Sequence, residues 1–256
     1  MNIIANLFAH KKKAVAVPQQ AGPQANEAMK WLIAEHIKPF LQQAGFAKYG
    51  MTFHRTRGDI IDVINFQSDK WNGFGNHTYY INCGMDSLRF QMETTGRQNR
   101  RPHYSAYLYH DRIEDFAGGD YQYVVAKNYR VADLEKMAEE LLLRLQKVLA
   151  FYAQATSVDD LIDLSIERNG LKEYEEICYY LTQHHDKVRL VRYIRDLHSR
   201  FSKTDDRWPI FADAIHAVVG NYATDPAIAK LLKGHAPPTT YTPKRFKPPE
   251  KPKPAS

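Results

Sequence analysis

Cysteine is nearly absent: Cys83 and Cys178 are the only two among 256 residues, far apart and each in an apolar context. That count excludes a disulfide-stapled fold and predicts two buried, reduced thiols in a soluble intracellular protein. Long hydrophobic runs are missing as well. No stretch approaches the roughly 18 apolar residues that a membrane helix requires, so no membrane span is expected. The opening Met1 to His10 is mildly apolar, but its lysines, Lys11 to Lys13, follow the run. A secretory signal has them in front, so this segment reads as a short arm, with weak interfacial anchoring as the alternative.

Catalytic and cofactor signatures are also lacking. There is no Cys-x-x-Cys, no His-Glu-x-x-His and no calcium loop, so no metal and no cofactor is expected. Neither Ser nor Cys sits in a strand-to-helix elbow, and Cys178 in Glu-Glu-Ile-Cys-Tyr-Tyr-Leu reads as core. The loop Trp71-Asn72-Gly73-Phe74-Gly75-Asn76 has the glycines of a phosphate loop without its lysine or following helix. Trp71 and Phe74 there are candidate contact residues for a partner, or a plainly packed loop. The carboxylate pairs Asp159-Asp160 and Glu175-Glu176 suit helix starts, and Arg57-Gly58-Asp59 suits a hairpin turn.

Acid is the minority charge, and the net +6 is unevenly placed. Residues 1–13 carry +3 and residues 236–256 carry +4, which leaves −1 on residues 14–235. A nearly neutral body argues against a broad phosphate-binding face. The basic tails still leave a nucleic-acid contact open, as does the stripe Arg189, Arg192, Arg195 opposite Leu190, Val191, Ile194 and Leu197. The competing reading pairs that stripe with Glu173, Glu175 and Glu176 of the preceding helix in an antiparallel hairpin.

What is present is periodicity. Met29, Leu32, Ile33, Ile37, Phe40, Leu41 and Ala44 recur at helical spacing; Pro39 should kink or divide that helix, and Gly45 can end it. The period then drops to two. Tyr49 to Phe53, Ile60 to Gln67 and Thr78 to Cys83 read as strands, the first two joined by the Arg57-Gly58-Asp59 turn. Two further strands are expected at His103 to His110 and Tyr121 to Ala126. Leu134 through Tyr152 is the clearest amphipathic helix, expected to cross the sheet. Ser157 with Asp160 marks the cap of the next helix, and helices follow at Leu171 to His184, Val188 to Phe201, Pro209 to Val219 and Pro226 to Lys233. The fold class is therefore α+β, an antiparallel sheet flanked by helices and followed by an α-helical C-terminal region. The divisions expected are an arm and linker (1–24), an α+β domain (25–155), a helical region (156–235) and a basic proline-rich tail (236–256).

Four strand positions carry polar side chains among apolar neighbours: Asn65, Gln67, Tyr80 and Asn82. An unpaired amide there is costly, so partners are required. Either they converge with His54, His110 or Arg112 in a polar pocket, or they hydrogen-bond loop backbone and fix the sheet register.

The stretch Gly45-Phe46-Ala47-Lys48-Tyr49-Gly50-Met51-Thr52-Phe53-His54-Arg55, with Asp62-Val63-Ile64-Asn65-Phe66-Gln67 and Tyr80-Ile81-Asn82-Cys83-Gly84, resembles the bacterial domain of unknown function 4304 family. Lys38-Pro39-Phe40-Leu41 and His110-Asp111-Arg112-Ile113 extend the resemblance to about residues 25–155. It implies a bacterial origin and a compact α+β module, and it assigns no catalytic residue. The leading expectation is a non-enzymatic protein-binding module, with a toxin, a phage component or a complex subunit as partner. The alternatives are an enzyme using the polar strand residues and a nucleic-acid binder using the tails and the arginine stripe.

Overall fold

The computed structural model describes residues 24–70, 72, 76–101, 103, 107–119, 123–126, 129–168, 173–202 and 208–234. The N-terminal arm, Trp71, Phe74 and the proline-rich tail lie outside the described residues.

The chain enters through α1 (Gln24–Leu32), a π turn (Ile33–Ile37) and α2 (Lys38–Gln43), a continuous helical run rather than two divided helices. Pro39 has no N–H and its ring crowds the carbonyl four residues back. The π turn just before it absorbs that misfit, with the N–H of Lys38 donating to Ile33 O. Gly45, at φ +86°, then turns the chain into the sheet.

Six antiparallel strands form one sheet among the described residues: β1 (Ala47–Tyr49), β2 (Thr52–Arg57), β3 (Ile60–Ser68), β4 (Asn76–Ser87), β5 (Tyr109–Arg112) and β6 (Tyr123–Ala126). The order is β1-β2-β3-β4, with β5 beside the C-terminal half of β4 and β6 beside its N-terminal half. The strand expected at His103 to His110 instead begins at Tyr109 and runs to Arg112. β4 extends four residues beyond Cys83, because Asp86 and Ser87 there find hydrogen-bond partners that the sequence pattern alone does not show.

Two helices missed by periodicity are α3 (Leu88–Thr95) and α4 (Ile113–Ala117). The first starts where Ser87 Oγ accepts from Phe90 N at 3.0 Å and Asp59 accepts from Arg89 N at 2.7 Å, so the Arg57-Gly58-Asp59 turn is also a helix cap. α5 (Val131–Tyr152) packs on the face of the sheet formed by Phe53, Ile64, Phe66, Ile81 and Cys83. Beyond it run α6 (Val158–Arg168), α7 (Tyr174–Gln183), α8 (Lys187–Phe201), α9 (Trp208–Val218) and α10 (Pro226–Leu231). Ser157 and Asp160 form the expected reciprocal cap at 3.2 and 3.0 Å. One buried apolar cluster runs from Ala28 to Leu232, and Phe90 of α3 meets Tyr180 of α7 at 5.4 Å between ring centroids.

Gly84 of β4 pairs with Val63 of β3 on one side and with His110 of β5 on the other. A Cβ there would lie 2.8 Å from Tyr109 O, 3.1 Å from His110 Cβ and 3.2 Å from the Tyr107 ring. Backbone cannot retreat as a flexible side chain does. Gly84→Ala is therefore expected to cost about 1–3 kcal/mol, read as a lowered urea midpoint with an unchanged slope; an unshifted midpoint would show that β5 can move aside.

Candidate functional site

The face of the sheet turned away from α5 carries a polar line. The registers place Tyr49 opposite Thr52, Thr52 opposite Asn65, Asn65 opposite Asn82 and Asn82 opposite Arg112, crossing β1 to β5 in succession. Side chains alternate between faces along each strand, so the residues on either side of this line in sequence, such as Phe53, Ile64 and Cys83, enter the core while the line itself does not. Asn65 Nδ2 donates to Thr52 Oγ1 at 2.8 Å; Asn82 Nδ2 donates to Asn65 Oδ1 at 3.0 Å and to Gln67 Oε1 at 3.1 Å. Arg112 donates to the same Gln67 oxygen at 3.5 Å.

Tyr80 lies opposite Gln67, beneath the Arg112 guanidinium at 4.5 Å, and its hydroxyl donates to Asp69 at 2.9 Å. Asn65, Gln67, Tyr80, Asn82 and Arg112 thus converge. Their amides hydrogen-bond one another rather than loop backbone. His110 is on the same face two cross-strand pairs further along, opposite Gly84, with its Nδ1 3.3 Å from Tyr107 O. His54 Nε2 lies 3.2 Å from the Tyr107 hydroxyl. At that end Ile61, Val63 and Tyr107 are fully buried and the face is closed. Toward Asn65 and Gln67 it is half-buried and opens outward, between Tyr49 (68% exposed) and Val124 (44%).

Other groups that could do chemistry are tuned away from it. Burial pushes both thiols, Cys83 and Cys178, well above the ordinary cysteine range, the wrong direction for a nucleophile at neutral pH. Among the described residues no group of three or more His, Cys, Asp and Glu is placed to hold a metal ion.

Asp86 is the exception in kind. Burial pushes its carboxyl up to about 7, against the pull of the Gln91 side chain and the N–H groups of Ser87 and Leu108. It lines a cleft of about 50 Å³ with Gln91, Thr94, Glu173 and Glu176, where α3 meets the start of α7. Gln91 Nε2 donates to Asp86 at 2.7 Å and Gln91 Oε1 accepts from Asn99 N at 2.6 Å, so the carboxyl ties strand, helix and following loop together. A carboxyl whose folded pKa is raised holds its proton longer folded than unfolded. Stability is therefore full near pH 4 and falls as pH rises toward 7. We expect a loss of roughly 1–3 kcal/mol between pH 5 and pH 8, measured by urea unfolding; a rise over that interval would contradict it.

The arginine stripe is engaged elsewhere than expected. Arg189 pairs with Asp159 at 2.6 Å, Asp163 at 3.8 Å and its own cap Asp186 at 2.6 Å, and Arg192 reaches Glu167 at 3.9 Å. Those acids, Asp186 apart, belong to α6, not to the Glu173–Glu176 segment, because α6 lies beside α8 in space. Arg195 is exposed on the same helix. Thr52, Tyr49 and Asp69 were not singled out in the sequence; the register of β1 and β2 against Asn65 is the signal that finds them.

The family described as domain of unknown function (DUF4304) matches residues 37–155, so the resemblance seen at residues 45–85 holds across that interval. The interval contains all six strands and the whole polar line. No curated protein and no solved structure matches the chain.

Proposed function

We propose that the sheet face built by this DUF4304-like segment is a docking surface for a protein partner. The observation that carries it is the polar line: side chains held by one another across the strands, half-buried, opening outward between Tyr49 and Val124. Pre-ordered amides lose little entropy on binding, which favours recognition. Two unbridged, buried thiols suit a reducing cytoplasm, and the family resemblance suits a bacterial source. An enzyme would need a reacting group among these residues. Amides, a tyrosine and an arginine can bind and orient but are not ready nucleophiles, and the histidines of this face, His54 and His110, meet Tyr107 at its closed end. Nucleic-acid binding through α8 draws little support, since Arg189 and Arg192 already meet acids of the same chain.

The test is affinity purification of the tagged full chain after nuclease treatment, beside Tyr49→Glu/Val124→Glu. Both positions are exposed, so the fold should survive. A stoichiometric protein present with the wild type and lost with the double variant is expected. A partner retained by both, or none with either, would overturn the reading.

A further inference from the structure

The amides of the polar line have fixed orientations, because Arg112 can only donate. Its contact at Gln67 therefore sets Oε1 inward, and that oxygen also takes the Asn82 Nδ2 hydrogen. Asn82 must then give its second hydrogen to Asn65 Oδ1, and Asn65 Nδ2 is left to donate to Thr52. Two atoms remain without a partner among the described residues: the acceptor Asn82 Oδ1 and the donor Gln67 Nε2. Asn82 is only 6% exposed, but neither of these two atoms is among the buried polar atoms left without a partner, so both open to solvent and are free to meet a ligand.

An acceptor beside a donor matches one chemical group well. In an extended chain the N–H and C=O of a single residue point to the same side, which is the basis of ladder pairing and of strand-like peptide recognition. Resting on the docking reading above, we propose that Asn82 and Gln67 read the backbone of an extended polypeptide segment of the partner: Asn82 Oδ1 accepts that residue's N–H, and Gln67 Nε2 donates to its C=O. Tyr49 and Val124 flank the line and offer apolar surface to the neighbouring side chains. A nucleobase edge could present the same pair of groups, but beside the Arg112 guanidinium its phosphates would face two acids, Asp69, held by Tyr80, and Asp115, which accepts from Arg112 N. The charge favours polypeptide.

Gln67→Glu isolates the idea. The new carboxylate keeps an oxygen for Asn82 and Arg112 while replacing the outward donor by an acceptor. A random linear peptide library is selected on the full chain, and the selected peptides are labelled for fluorescence anisotropy. Wild type should bind them, with affinity about tenfold weaker in Gln67→Glu and weaker again when one peptide residue is N-methylated. Equal binding by Gln67→Glu, no selected peptide, or displacement by a mixed-sequence single-stranded oligonucleotide would each overturn the proposal. The two readings fail differently. A cellular partner lost with Tyr49→Glu/Val124→Glu but kept by Gln67→Glu preserves the docking face and removes backbone reading; a partner kept by all variants removes both.

Discussion

Asp62→Ala is expected to lower the unfolding free energy by about 3–5 kcal/mol, one of the largest single-residue effects in the molecule. Asp62 is on the core face of β3 with no exposed surface, yet it is charged. Arg55 and Arg57, from the neighbouring β2, close on it: Arg55 Nε at 2.8 Å, Arg57 Nε at 2.7 Å and Arg57 NH2 at 2.9 Å. The Asp62 contact also holds the Arg57 guanidinium firmly charged, its pKa raised despite burial. The same Arg57 NH2 nitrogen also shares its hydrogens with the carbonyls of Tyr152 at 2.9 Å and Ala155 at 3.1 Å, capping the C-terminal end of α5. Removing the carboxylate leaves two arginines facing each other with side chains only 17% and 26% exposed, and loosens the helix end they secure. Urea unfolding checks the value. The cost belongs to the unpaired charges, so Arg55→Met/Arg57→Met/Asp62→Leu should recover much of it; a loss under about 1 kcal/mol in Asp62→Ala would mean the arginines rehydrate freely.

Tyr152→Phe, one oxygen smaller, is expected to cost about 2–4 kcal/mol. The Tyr152 hydroxyl is buried between β3 and β4, where Val63 and Gly84 face each other. It donates to Val63 O at 2.5 Å and accepts from Gly84 N at 2.8 Å, joining the last turn of α5 to the sheet ladder. Burial holds its phenol protonated far above the ordinary tyrosine range, so it remains a donor at all working pH values. Phenylalanine fills the same space and leaves an N–H and a C=O unmatched in the core. Hydrogen exchange gives an independent reading: the Gly84 amide should lose protection in Tyr152→Phe. If it stays protected and stability hardly changes, the two strands have closed directly on each other.

The C-terminal limit of the family match, residue 155, coincides with the last carbonyl held by Arg57. The Asp62 cluster therefore fastens the end of the matched segment to its own sheet, and α6 to α10 lie beyond that tie.

Much of this was legible from the residues alone. The period-two alternation put Asn65 and Gln67 on one face of Ile60 to Gln67 and Tyr80 and Asn82 on one face of Thr78 to Cys83, and the register joins the two into one face. Ser157 with Asp160 marked a helix start through short-range hydrogen bonds that need no tertiary context. The short helices α3 and α4 were not legible, since their ends depend on caps such as Asp59, thirty positions upstream of Arg89. Asp62 gave no sign of being buried, because an aspartate in a strand reads as solvent-facing until two arginines of the next strand are known to enclose it.

The partners of Arg189 show the same limit. Local sequence offered Glu173, Glu175 and Glu176, whereas packing brought Asp159 and Asp163 within reach. Sequence by itself determined the fold class, the faces of the central strands and the local cap of Ser157 with Asp160, because those follow from backbone periodicity and contacts a few residues apart. Only the tertiary structure decided which amide faces which, which charges neutralise each other and which end of the polar face stays open, because hydrogen bonds and ion pairs act over a few ångströms, between residues that the chain holds far apart until it folds.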